Sequence, residues 1–135
     1  MTPSSDYAAL LLRVTSGALF IAHGLMKVFV FTIPGTVGHF ESLGLPGFLA
    51  YLIILVEVAG GLALILGVAT RAVSLALIPV LLGATWVHAG NGWVFSNAGG
   101  GWEFPLFWAI VQGAVALLGS GAHALKPSAR GLVTA

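Results

Sequence analysis

The sequence contains no cysteine and very few charged residues. Without cysteine, the chain itself cannot form a disulfide, a thiol relay, a cysteine-ligated zinc site or an iron–sulfur cluster. Only 7% of its residues are charged, whereas soluble domains carry about 25%. The formal net charge of +1 leaves no cluster of lysine and arginine for phosphates, which excludes nucleic acid as a partner. We also predict no metal site.

The sequence is rich in long apolar runs. Hydrophobic residues make up 59% of the chain, and the runs reach the length of about 20 residues that a transmembrane helix needs. The first six residues contain no lysine or arginine. We therefore expect the first run to be a retained helix rather than a cleaved signal peptide. The composition predicts an all-α integral membrane protein embedded in the lipid bilayer.

The order of the runs predicts one transmembrane domain over residues 1–135, a four-helix bundle. The predicted helices cover residues 7–31, 48–69, 72–89 and 104–122, and a polar tail follows at 123–135. Residues 32–47 are rich in glycine and proline around an amphipathic patch, which predicts a short interfacial or re-entrant segment.

The positions of the basic residues predict the orientation in the membrane. Arg71 lies in the turn between the second and third predicted helices, and Lys126 and Arg130 lie in the tail. Basic residues near helix ends favour the cytoplasmic side. We therefore predict that both termini are cytoplasmic and that the longer loops lie outside.

Polar and small residues of the first predicted helix recur at intervals of three and four, so they share one face. They are Arg13, Ser16, Gly17, Phe20, His23, Gly24 and Lys27. A charge at the bilayer centre costs at least about 2.5–3.5 kcal/mol, so this face must meet protein or water. Glu57 is the natural counter-charge, on a small-residue face with Gly60, Gly61 and Gly67 that allows close helix packing.

Helix geometry predicts which of these groups meet. At ~1.5 Å per residue, His23 and Glu57 both lie about 12 Å below the outer helix ends, so we expect them to meet. Arg13 lies one to two turns deeper and is also expected to reach Glu57. His88 ends the third helix and Glu103 begins the fourth, both beside Lys27. The predicted site in the outer half of the bundle comprises His23, Lys27, Glu57, His88 and Glu103.

Each candidate also has a purely structural interpretation. Arg13 and Glu57 could be a neutralised pair that fixes helix register. Lys27 could extend to the membrane surface, and Glu103 could cap its helix. We expect Gln112 to form an interhelical hydrogen bond.

The histidines are the strongest functional candidates. A membrane-buried imidazole can donate a hydrogen bond to a quinone carbonyl or transfer protons near neutral pH, which favours His23 and His88. A bis-histidine haem is disfavoured, because His23 is buried and His88 is peripheral.

Two motifs together resemble the DoxX family of small four-helix membrane proteins. They are Arg13-x3-Gly17-x2-Phe20-x2-His23-Gly24-x2-Lys27-x-Phe29 and Glu57-x2-Gly60-Gly61-x2-Leu64-x2-Gly67-x2-Thr70-Arg71. The resemblance extends to the Gly-Gly-x-Trp-Glu segment that ends at Glu103. It implies a bacterial inner membrane protein linked to quinone chemistry, because related proteins are subunits of thiosulfate:quinone oxidoreductase or take part in quinone resistance or oxidative-stress defence.

The resemblance also implies roles for individual residues. His23, Glu57 and His88 would be catalytic, and the substrate or quinone would be bound by Arg13, Phe20, Lys27, Arg71 and Glu103. A quinone is the implied cofactor. Because the chain has neither cysteine nor a nucleotide-binding motif, its electrons would come from a redox partner protein.

The leading hypothesis is therefore a quinone-linked subunit of an oxidoreductase. One alternative is permeation of a small solute or anion along the polar face. Another is a structural or assembly subunit, whose glycine-lined faces contact partner chains or a second copy.

Overall fold

The computed structural model describes residues 3–128, which contain helices, turns and irregular segments and no strand. The α-helices in that range are α1 (Pro3–Phe29), α2 (Ile33–Ser42), α3 (Phe48–Leu66), α4 (Thr70–His88) and α5 (Glu103–Leu118). A short 3-10 turn, Ala89–Asn91, extends α4. The all-α prediction is confirmed. The end of the predicted tail, with Arg130, lies outside the described residues.

Three helices in the described range are long and apolar enough to cross a membrane: α1, α3, and α4 with its 3-10 extension. The apolar helix α5 has 16 residues. Its length of about 24 Å is shorter than the hydrocarbon core of about 30 Å. The chain is thus a multi-pass membrane protein with one shorter apolar helix.

The four longer helices pack as a ring in which α1 lies against α3, α3 against α4, α4 against α5, and α5 against α1. The ring has a terminal end, where α1 and α4 begin and α3 and α5 finish. At the opposite, loop end, α2 packs against α1 and α3. The buried core lies between the helices and includes Phe20, Leu64, Leu77, Leu81, Trp108 and Ala109.

The helix ends differ from the predicted limits for local reasons. The first helix begins at Pro3 rather than at residue 7, because proline suits the first helical turn and Asp6 favours its positive end. The helix α3 stops at Leu66 because Gly67 adopts a left-handed conformation with φ 73°. Its N–H then donates to the carbonyl of Ala63 at 2.9 Å, as at many helix C-termini.

The helices α1 and α3 approach most closely at Gly17 and Gly61. A Cβ atom added at either glycine would lie 2.6 Å from the carbonyl oxygen of the other. Only glycine on both sides permits this backbone contact. The small-residue face predicted on α3 is confirmed here at Gly61. The close approach of α1 and α3 determines which side chains of the two helices face each other on either side of it.

Candidate functional site

The guanidinium group of Arg13 is fully buried at the terminal end. It donates hydrogen bonds to the carbonyls of Leu64 at 2.9 Å and Ile65 at 2.8 Å, where α3 ends. It also donates to the carbonyls of Ser120 at 2.9 Å and Ala122 at 2.8 Å, just beyond α5. Carbonyls at helix ends lack intrahelical partners, and lipid cannot supply them. Arg13 thus ties α1 to the end of α3 and to the segment after α5 by satisfying their backbone carbonyls.

The predicted contact between Arg13 and Glu57 is wrong, because Glu57 pairs with a different cation. Lys27 Nζ lies 2.7 Å from Glu57 Oε1, and the two side chains are 20% and 5% exposed. The contact is an ion pair rather than an aligned hydrogen bond, since Glu57 Oε1 receives no hydrogen bond of normal geometry. Gly24 brings the helices together here, since a Cβ at Gly24 would lie 3.3 Å from that of Glu57.

His23 lies one turn below Lys27 on α1, but it does not bond to Glu57 in the described part of the chain. Its Nδ1 atom is 2.8 Å from the carbonyl of Leu19. A carbonyl only accepts, so Nδ1 is assigned the proton and the neutral ring has Nε2 as its acceptor. The predicted contact between His23 and Glu57 is therefore wrong, because the His23 imidazole turns towards Leu19 and Trp108 while Glu57 pairs with Lys27.

The imidazole of His23 joins a group of aromatic rings centred on Trp108 of α5. The ring centroids of His23, Phe20 and Phe104 lie 5.1, 4.2 and 5.7 Å from that of Trp108. Such distances are typical of favourable aromatic pairs. Trp108 belonged to none of the predicted sites. Its only signal was an indole within an apolar helix, which needs a hydrogen-bond acceptor when it is buried.

The acceptor for the Trp108 indole is the Ser16 hydroxyl, which belongs to a series of hydrogen bonds across the bundle. Its Nε1–H donates to Ser16 Oγ at 2.8 Å, and the Ser16 hydroxyl donates to Gln112 Oε1. The interhelical hydrogen bond predicted for Gln112 is confirmed. These three buried side chains link α1 to α5 and hold the indole in a fixed orientation beside His23.

An open groove of about 620 Å³ lies at the loop end of α5. It is lined by Phe95, Glu103, Phe104 and Phe107, and Phe104 is also the neighbour of Trp108. The carboxylate of Glu103 makes no hydrogen bond or ion pair with any residue from 3 to 128. Ring contacts thus lead from the groove through Phe104 and Trp108 to His23.

The structure places two other predicted site residues away from the Lys27–Glu57 pair. His88 Nδ1 is 2.7 Å from the carbonyl of Ala84, and nothing in residues 3–128 joins His88 to that pair. Arg71 lies at the terminal end, where its Nε donates to the carbonyl of Ala116 at 3.1 Å. The described residues also contain no group of three or more histidine, aspartate or glutamate side chains arranged to hold a metal ion.

The sequence profile of the DoxX family matches residues 8–90, more than half of the chain. The chain belongs to the DoxX family. This DoxX chain is 36% identical over 127 residues to a Bacillus subtilis (strain 168) protein named "Putative oxidoreductase CatD", covering 94% of the chain and 90% of that relative. It is 37% identical over 75 residues to "Inner membrane protein YqjF" of Escherichia coli (strain K12), covering 56% of each protein. No solved structure shows a significant match.

The DoxX match covers most of α1 and all of α2, α3 and α4, and thus contains Arg13, His23, Lys27 and Glu57. Trp108 and the residues that line the groove lie in α5 and in the segment before it, beyond the matched range. Trp108, Phe104 and the groove therefore lie outside the part of the chain that the DoxX profile matches, whereas Phe20 and His23 lie within it.

Proposed function

We propose that this DoxX protein binds a quinone beside His23 and serves as the membrane subunit of a redox system. The observation that carries the proposal is the continuous run of ring contacts from His23 through Trp108 to the groove. A quinone is a flat ring with two carbonyl acceptors, so it needs aromatic surface together with hydrogen-bond donors. The groove volume of about 620 Å³ falls in the usual range for ligand pockets, roughly 300–1,000 Å³. The rings of Phe104 and Trp108 separate the groove from His23, so we propose the groove as the entrance to the site.

The side chains around His23 would have distinct roles towards the quinone. Because Nδ1 donates to the carbonyl of Leu19, Nε2 is the ring nitrogen that remains for the quinone. Nε2 would accept a proton and, once protonated, would donate a hydrogen bond to a quinone carbonyl. The Lys27 ammonium would stabilise negative charge that develops on the ring oxygens, while Glu57 balances that cation at rest. We propose Arg13 as a positioning residue, because its donors are engaged by four backbone carbonyls.

The reaction also requires a partner and a membrane location. Reduction of a quinone takes up two electrons and two protons, and a chain without cysteine needs an external electron donor. The oxidoreductase name of the Bacillus relative and the inner membrane name of the Escherichia relative support this assignment. We propose an inner membrane protein with cytoplasmic termini, since Arg71 and Lys126 both lie at the terminal end.

Quinone binding can be measured directly on the purified protein in nanodiscs. Short-chain ubiquinone and menaquinone are titrated while the fluorescence of the four tryptophans is recorded. His23→Ala removes one hydrogen bond, worth about 1–1.5 kcal/mol, so we expect the Kd to rise about tenfold. The matched control is His123→Ala, an exposed histidine, which should leave the Kd unchanged. Failure of the parent protein to bind either quinone would overturn the proposal.

A structural or assembly subunit is the second candidate. It is favoured by the use of Arg13 and of the Lys27–Glu57 pair in interhelical contacts. In that case the parent protein would bind no quinone, or His23→Ala would leave the quinone Kd unchanged. Variants at the interface would alter the mass of the native complex. Native mass spectrometry of the gently solubilised protein therefore distinguishes the two candidates.

A further inference from the structure

Besides Glu57 Oε1, three buried polar atoms on α4 and α5 have no hydrogen-bond partner among the described residues. They are Gln112 Nε2, Ser74 Oγ and Thr70 Oγ1, and each of these residues is 0% exposed. Hydroxyl groups on helices often bond to the carbonyl four residues earlier, as Thr85 does to Leu81 at 2.8 Å. The Ser74 and Thr70 hydroxyls make no such bond. Buried polar groups in native proteins almost always have a protein or water partner.

The three groups lie on facing sides of α4 and α5. Thr70 and Ser74 belong to the buried face of α4 and are one turn apart, about 6 Å along its axis. The helices α4 and α5 run in opposite directions, and the bond from Arg71 to the carbonyl of Ala116 fixes their register. Ser74 is three residues beyond Arg71, and Gln112 is four residues before Ala116. Both side chains therefore lie at the same level of the bundle interior.

The other end of the Gln112 amide is already in use. Its Oε1 accepts from Ser16, which in turn accepts from Trp108. The two N–H donors of the amide nitrogen therefore point away from the Trp108–Ser16–Gln112 hydrogen bonds. They meet no acceptor among the described residues. Water can accept from an amide and donate to two hydroxyls, and buried waters make about three hydrogen bonds.

We propose that ordered water occupies the space between α4 and α5 and is bound by Gln112, Ser74 and Thr70. The water site continues the Trp108–Ser16–Gln112 chain of hydrogen bonds towards the terminal end of the bundle. This inference rests only on the buried polar atoms and is independent of quinone binding.

Gln112 is the single glutamine of the sequence, so a label on glutamine side chains reports on this position alone. Protein labelled with side-chain ¹⁵N-glutamine in nanodiscs gives one side-chain amide signal, and its protons are tested for nuclear Overhauser cross-peaks at the water frequency. We expect strong cross-peaks with the sign of immobilised water. An amide with cross-peaks to protein groups alone would overturn the proposal.

Two variants separate bound water from other sources of such a signal. Ser74→Ala removes one ligand of the water, so we expect a weaker cross-peak and a shifted Gln112 signal. The control Thr85→Val lies on the same helix and has a hydroxyl that is bonded to Leu81, so it should change neither.

Thermal stability gives a second measurement on the same variant. With water bound, Ser74→Ala should lower the Tm, because a hydrogen-bonded group is lost. In a dry core the variant would remove a hydroxyl without a partner, and an unchanged or higher Tm would overturn the proposal.

Discussion

The Lys27–Glu57 ion pair provides the sharpest energetic test of the candidate site. Its atoms are 2.7 Å apart, and the Glu57 side chain is only 5% exposed. In Lys27→Met the carboxylate stays buried without another partner among the described residues. Breaking a buried pair from one side costs about 3–5 kcal/mol. Glu57→Gln should cost less, about 1–2 kcal/mol, because the Lys27 side chain is 20% exposed and can extend to the membrane surface.

The double variant Lys27→Met/Glu57→Gln removes both charges and should lie within about 1 kcal/mol of the parent protein. The coupling free energy in the double-mutant cycle is then at least about 3 kcal/mol. Unfolding in maltoside micelles with increasing dodecyl sulfate measures each free energy, and Lys126→Met, an exposed lysine, serves as the control. If the two single losses simply add in the double variant, the reasoning is refuted.

Three further predictions concern contacts between helices and are tested by the same unfolding assay. Gly17→Ala should lower the free energy of unfolding by about 1–3 kcal/mol, because its Cβ would meet the carbonyl of Gly61 at 2.6 Å. The control Gly83→Ala, whose Cβ would have nothing within 4 Å, should raise the free energy of unfolding slightly. Equal changes in the two variants would contradict the geometry. Arg13→Lys should cost at least about 2 kcal/mol, because one ammonium cannot reach four carbonyls in two segments; an unchanged stability would show that these bonds contribute little. Trp108→Phe should leave Ser16 without its donor and cost about 1 kcal/mol, with a small rise in quinone Kd; a Kd that does not change would separate Trp108 from the quinone site.

The helices themselves were predictable because each is an apolar run bounded by glycine, proline or charge. The segment between the first two helices was also recognisable, and the structure makes it α2, whose Thr36 hydroxyl donates to the carbonyl of Lys27 at 3.0 Å. The exact ends depended on local backbone conformation. Gly67 stops α3 through its left-handed conformation, which hydropathy alone does not reveal.

The partners within the site were less predictable. Helical spacing correctly placed Arg13, His23 and Lys27 on one face of α1, but it could not choose which cation pairs with Glu57. That choice depends on the carbonyls of Ser120 and Ala122, which engage Arg13. Trp108 is 92 residues from its acceptor Ser16, and no local pattern in the sequence connects two such distant positions.

The hydrogen bonds of Arg13 have a consequence for biosynthesis. Arg13 is 107 residues before Ser120, and a ribosome needs about 5–20 s to add that many residues. During this interval α1 enters the membrane with a cation whose final carbonyl partners do not yet exist. Nascent α1 must therefore keep Arg13 in contact with water or with the insertion machinery until α5 arrives. A chain truncated before Ser120 would lack two of the four carbonyls that accept hydrogen bonds from Arg13.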